Sequence, residues 1–104
     1  MQRVRALSDL LQLLADAGDY LEVQTENGAG VSLGALTLYY MIEEAQKAFP
    51  ETQLTLWVDC ADRAGAVQEA LRVGLTHLQV DLPDPVFAKL SDIATQSGAQ
   101  LRRR

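Results

Sequence analysis

The sequence predicts an α/β protein: a small, mostly parallel sheet of three or four strands, crossover helices mainly on one face, and an added N-terminal helix. Three observations carry this. Helix and strand patterns alternate along the chain, which favours parallel pairing through right-handed crossovers. Each expected strand keeps apolar side chains on one flank and polar ones on the other, whereas a sheet sandwiched by helices reads as continuous apolar runs. The length, 104 residues, suits one domain spanning residues 1–104.

The elements follow in order. Leu7, Leu10, Leu11 and Leu14 make a helical stripe, with Ser8 as the expected N-cap and Gly18 as the stop. Tyr20 to Thr25 alternates as a strand, Leu21 and Val23 opposite Tyr20, Glu22 and Gln24. A flexible Gly28-Ala29-Gly30 connection leads to a helix capped by Ser32 and closed by Pro50. The second strand, Leu54 to Asp59, sets Leu54, Leu56, Val58 and Cys60 against Thr55, Trp57 and Asp59. A helix capped by Asp62 runs to Gly74, and Thr76 to Val80 forms the third strand, with His77, Gln79 and Asp81 on its polar side. Asp84-Pro85 starts the last helix, which carries Val86, Leu90 and Ile93. Ala99 to Leu101 is a possible short fourth strand.

Composition excludes several classes. Apolar residues make up 48% and charged residues 22%, a globular balance rather than a disordered one. A single cysteine, Cys60, allows no internal disulfide and suits a cytoplasmic protein. Ser8, Asp9, Gln12 and Asp16 interrupt the leading leucines, so they do not form a signal peptide, and no apolar run reaches membrane-spanning length. The net charge of −5 opposes non-specific nucleic-acid binding. Arg102-Arg103-Arg104 reads as a solvated tail.

Two surfaces attract attention. The polar sheet flank has three possible fates: cover by the N-terminal helix or a dimer partner, open solvent, or a ligand site. The first half of the second helix is apolar nearly all round, with Leu33, Leu36 and Tyr40 opposite the Leu38, Ile42, Ala45 and Phe49 stripe. Either the N-terminal leucine helix covers that patch or a second copy of the chain does.

Chemistry would sit beyond the carboxyl ends of the strands, as in other open α/β folds. Asp59 and Asp81 are the carboxylates there with no expected capping role, and Trp57 and Gln79 share their flank; these four are the candidate ligand-binding residues. No catalytic set and no metal site is expected, and no cofactor motif is present. Gly28-Ala29-Gly30 fits neither nucleotide-binding glycine pattern. A Cys60–His77 dyad fails on geometry: in parallel strands the two lie about 10 Å apart, on opposite flanks.

Two family resemblances follow from these residues. The stretch Gln53 to Leu101, with LTLWVDCADRAG and EALRVGLTHLQVDLPDP at its centre, resembles consecutive βα units of a phosphate-binding (β/α)₈ barrel of the quinolinate phosphoribosyltransferase-like kind. That resemblance implies a half-barrel-like fold with Asp59 and Asp81 at a catalytic rim, in a chain too short for eight units. Ser32 to Val80 resembles STAS domains, bacterial regulatory modules: Ser32-Leu33-Gly34-Ala35-Leu36 is similar to the segment around their phosphorylatable serine, and LRVGL to their closing helix. It implies a STAS-like regulatory domain with Ser32 as phosphoacceptor, a residue whose own local pattern makes it an N-cap. The expected function is a non-catalytic interaction or regulatory module, self-associating as a homodimer or holding another protein. The alternative is a half-barrel-like small-molecule or phosphate binder, possibly an enzyme, with its site at the carboxyl strand ends.

Overall fold

In the computed structural model, which describes residues 1–104, a five-stranded parallel sheet carries five helices. The order is β1 (Arg3–Val4), α1 (Leu7–Ala15), β2 (Tyr20–Thr25), α2 (Ala29–Ser32), α3 (Ala35–Ala48), β3 (Gln53–Asp59), α4 (Ala64–Val73), β4 (His77–Val80), α5 (Asp84–Gln96) and β5 (Gln100–Arg103). Strands pair in sequence order, β1-β2-β3-β4-β5, all parallel. The expected fold class holds, with one strand more than expected.

Side-chain segregation explains the layering. Val4, Val23, Leu56, Val58, Leu78 and Val80 point to one flank and join one core with Leu10 and Leu14 of α1, Leu38 and Ala45 of α3, Val67 and Ala70 of α4, and Leu90 of α5. Burying each such aliphatic side chain contributes about 1.5–3 kcal/mol. The helices therefore stack on that flank and leave the polar one without a helical layer.

The unforeseen strand settles where the N-terminal helix goes. Arg3 pairs with Gln24 and Val4 with Thr25, which makes α1 a crossover between two neighbouring parallel strands. It packs on the apolar flank beside α3, so it covers neither the polar flank nor the Leu33, Leu36 and Tyr40 patch. Both expected covers by this helix are overturned.

Several expected caps are also corrected. Helix α1 begins one residue earlier than Ser8 allows, and the amide of Arg5 donates instead to the Asp9 carboxylate at 2.9 Å. Ser32 ends α2 rather than capping the next helix. The expected continuous helix breaks at Leu33-Gly34, where Gly34 takes φ +86°, a left-handed value that favours glycine. Asp62 is solvent-exposed beside Arg63, the residue that occupies the N-cap position of α4. Asp84 is the first residue inside α5, and its carboxylate is claimed by Arg103.

Gly28-Ala29-Gly30 is not a loose connection. A Cβ on Gly30 would lie 2.9 Å from the Asp59 carbonyl oxygen and 3.2 Å from Cys60 Sγ. Only a bare Cα lets α2 sit this close to the end of β3. Arg102 to Arg104 is likewise no free tail: the first two residues belong to β5, and the backbone amide of the third donates to the Val80 carbonyl at 3.1 Å.

Candidate functional site

The polar flank gathers the expected ligand residues around one carboxylate. Strand register sets Gln24 beside Trp57 and, one row on, Asp59 beside Gln79 and Gln79 beside Arg102. Alternation points these side chains to the same flank.

Asp59 is fully buried, 0% exposed. Its Oδ1 accepts from the amides of Gly28 at 2.8 Å and Ala61 at 2.9 Å, and from Arg104 Nη2 at 2.6 Å. Its Oδ2 accepts from Gln79 Nε2 at 3.0 Å and Arg104 Nε at 2.9 Å. Burial pushes the carboxyl pKa up, but the Arg104 guanidinium, the two amides and Gln79 together outweigh it and bring the value down to about 2. The same pairing raises the pKa of Arg104. The donors that hold Asp59 also build its surroundings, because one is the start of α2 and another is Ala61, which sits at φ +55° in the turn after β3. Asp59 thus ties β3 to the α2 turn, β4 and the residue after β5.

The network continues along the sheet. Gln79 donates to Gln24 at 3.2 Å while its Oε1 accepts from Arg102 Nη2 at 2.8 Å. The Arg102 guanidinium lies 3.9 Å over the Trp57 ring, and His77 meets that ring edge-on at 5.0 Å. Trp57 Nε1–H donates to Glu22 at 2.7 Å, which also accepts from Tyr20 at 3.0 Å. The Trp57 hydrogen bond, then that of Tyr20, lowers the Glu22 pKa, and burial lowers that of His77. The result is a chain of polar partners from Tyr20 to Arg104. No buried side-chain polar atom lacks a hydrogen bond.

This arrangement is chemically quiet. Asp59 and Gln79 are spent on internal partners, and Trp57 is only 7% exposed under Arg102 and His77. Asp81 is exposed and stands apart from that set, and no cluster of three His, Cys, Asp or Glu side chains is disposed to hold a metal ion. Cys60 points into the core on the opposite flank from His77. Burial, then the charge of neighbouring Asp59, pushes its thiol up to about 12. Ellman's reagent at pH 8 is accordingly expected to leave native Cys60 unmodified and to titrate one thiol in urea; rapid labelling of the native protein would contradict this burial.

The residues that sequence reasoning missed are Arg102, Arg104, Glu22 and Gln24. One signal was legible for the arginines. Gln100, Arg102 and Arg104 extend the period-2 polar flank two residues beyond the expected strand end. Nothing local signals that Arg104 lands on Asp59, since 45 residues separate them.

The expected interface residues stand elsewhere, on the outer side of the helical layer. Leu33 is 42% exposed, Leu36 53% and Tyr40 59%, with Val31 beside them. Next to this patch a groove of about 530 Å³ runs between the starts of α3 and α4, lined by Gly30, Gly34, Ala35, Asp62, Arg63 and Gly65. Fold and site together define a class: a one-sided, sequentially ordered parallel α/β protein whose polar sheet flank is closed by its own hydrogen bonds. Comparison with family models, with curated proteins and with solved structures finds no match, so no family assignment accompanies this class.

Proposed function

We propose that this protein is a non-catalytic interaction module whose contact surface is the outer face of α2 and α3. The observation that carries this reading is the contrast between the two surfaces. The polar flank satisfies its own buried groups, whereas Leu33, Leu36 and Tyr40 hold large apolar areas in water with no partner inside the fold. A fold gains nothing from exposed leucines in a row, so their use lies in contact with another molecule. The alternative, a phosphate or small-molecule binder at the carboxyl strand ends, draws its support from the groove between α3 and α4.

Two measurements test the proposal. The double variant Leu36→Ser/Tyr40→Ser is expected to unfold in urea within about 0.5 kcal/mol of the parent, since its side chains support nothing in the fold. A loss several times larger would make them core residues and remove the reading. Titration with inorganic phosphate and with Mg²⁺ is expected to leave the amide resonances of Gly28, Ala61 and Gly65 unmoved. A saturable shift at millimolar ligand would establish the alternative instead.

A further inference from the structure

We infer that the partner for this face is a second copy of the chain, docked two-fold and antiparallel along α3, with the partner's Glu43 set against Arg63. The inference rests on the interaction-module reading and adds the occupant, the axis and the ion pair.

The outward stripe of this region runs through Leu33, Leu36, Tyr40, Glu43 and Lys47, at steps of three and four residues that keep one helical face. Its first half is apolar and its second half charged. The only antiparallel register that pairs like with like places the axis between Leu36 and Thr37. Leu33 then meets the partner's Tyr40, Leu36 meets the partner's Thr37, and the charged halves extend past each other. A parallel pair would stack Glu43 and Glu44 on their own copies, and an axis further along α3 would lay leucine on glutamate. Both cost more than they gain.

Electrostatics favour the same register. At 1.5 Å per residue, the partner's Glu43 lies about 10 Å beyond the axis, some 7–8 Å past the first residue of α3. The groove with Gly34, Ala35 and Arg63 opens there. Helix α3 has Gly34 at its N-cap and no side-chain cap, so its leading amides present positive potential. Arg63 is 68% exposed and faces only an exposed Asp62 at 3.6 Å, a pairing that water weakens and that leaves the guanidinium free for a second carboxylate. The sheet edges are poorer candidates, because β1 and the residue after it bring Arg3 and Arg5 while β5 and the residue after it bring Arg102 to Arg104, and like-charged edges resist pairing. One helix of 14 residues makes an interface at the low end of the stable range, so the dimer is weak, with a dissociation constant on the order of 10 µM.

Sedimentation velocity across roughly 1–500 µM tests this, spanning that constant on both sides. The wild type is expected to pass from monomer to dimer. Glu43→Arg and Arg63→Glu are each expected to weaken association by about tenfold or more, through like charges brought together. The combined Glu43→Arg/Arg63→Glu variant is expected to recover most of the loss, and Leu36→Ser/Tyr40→Ser to stay monomeric. Circular dichroism of each variant checks that the fold is retained. A wild type that is monomeric throughout, or a double charge swap that fails to recover association, overturns the two-fold register. A dimer that survives Leu36→Ser/Tyr40→Ser overturns the surface itself. Either failure is distinct from failure of the interaction-module reading, which falls on the stability of that double variant or on saturable phosphate or Mg²⁺ binding.

Discussion

Asp59→Asn is expected to lower the free energy of unfolding by about 3 kcal/mol, the scale for breaking a buried ion pair by altering one partner. The variant keeps the shape of the side chain and loses only charge and one acceptor. Oδ1 accepts from three donors and Oδ2 from two. Whichever way the asparagine amide turns, its NH₂ confronts at least two N–H groups, and Arg104 loses its counter-charge. The damage is not local, because those donors belong to the α2 turn, the turn at Ala61, β4 and the residue beyond β5. Arg104→Ala is expected to cost less, since Gly28, Ala61 and Gln79 continue to solvate the carboxylate.

Acid carries the same information. The Asp59 pKa lies at about 2 in the folded protein against 3.8 for an ordinary aspartate. A depressed folded value means the stabilising contribution is fully present above the unfolded pKa and is lost as pH falls through the folded one. Between about pH 5 and pH 2 the wild type therefore loses about 2 kcal/mol from this group, and Asp59→Asn does not. Urea titrations at pH 7, 5, 3 and 2 on both proteins measure it. Equal stabilities at pH 7, or parallel acid losses, would show that the carboxylate is not the tie described.

Gly30→Ala is expected to destabilise by about 2 kcal/mol, the scale for forcing an extra carbon into a packed site. The new Cβ would press on a backbone carbonyl at 2.9 Å, and on Val58 Cγ1 and Cys60 Sγ at 3.2 Å each. A carbonyl in the middle of a sheet cannot swing aside as a long side chain does. Relief must come from lifting α2 off β3, which draws the Gly28 amide away from Asp59. Gly30→Ala and Asp59→Asn are therefore expected to be less than additive in the double variant, because each removes the same contact. Gly65→Ala is the control: a Cβ there meets nothing within 4 Å, and alanine is the better helix former by about 1 kcal/mol at most. A Gly30→Ala protein as stable as the control would mean α2 does not depend on close approach.

Residue types made some features legible and left others hidden. Leu54, Leu56 and Val58 alternating with Thr55, Trp57 and Asp59 announced both the strand and its one-sidedness. Gly18, Pro50, Gly74 and Gly98 marked the ends of segments. The two-residue β1 carries no period of its own, so its existence, and with it the placement of α1, was invisible. Caps misled for a related reason. Ser8, Ser32, Asp62 and Asp84 all suit an N-cap, but a cap position depends on where the helix starts, and packing moved each start by one to three residues. The polar flank was correctly populated by Trp57, Asp59 and Gln79, yet its state was not readable, because Arg102 and Arg104 arrive from the far end of the chain.

Local chemistry was enough to specify the alternation of elements, the parallel sheet, the apolar flank and the exposed stripe of Leu33, Leu36 and Tyr40. All of these depend on neighbours within a few positions, where periodicity of 2.0 or 3.6 residues is recorded directly in the chain. Long-range geometry settled the rest: the fifth strand, the bare Cα of Gly30 against β3, and the burial of Asp59 beneath Arg104. Those features depend on which distant segments meet, and a carboxylate reads the same in sequence whether water or a guanidinium surrounds it.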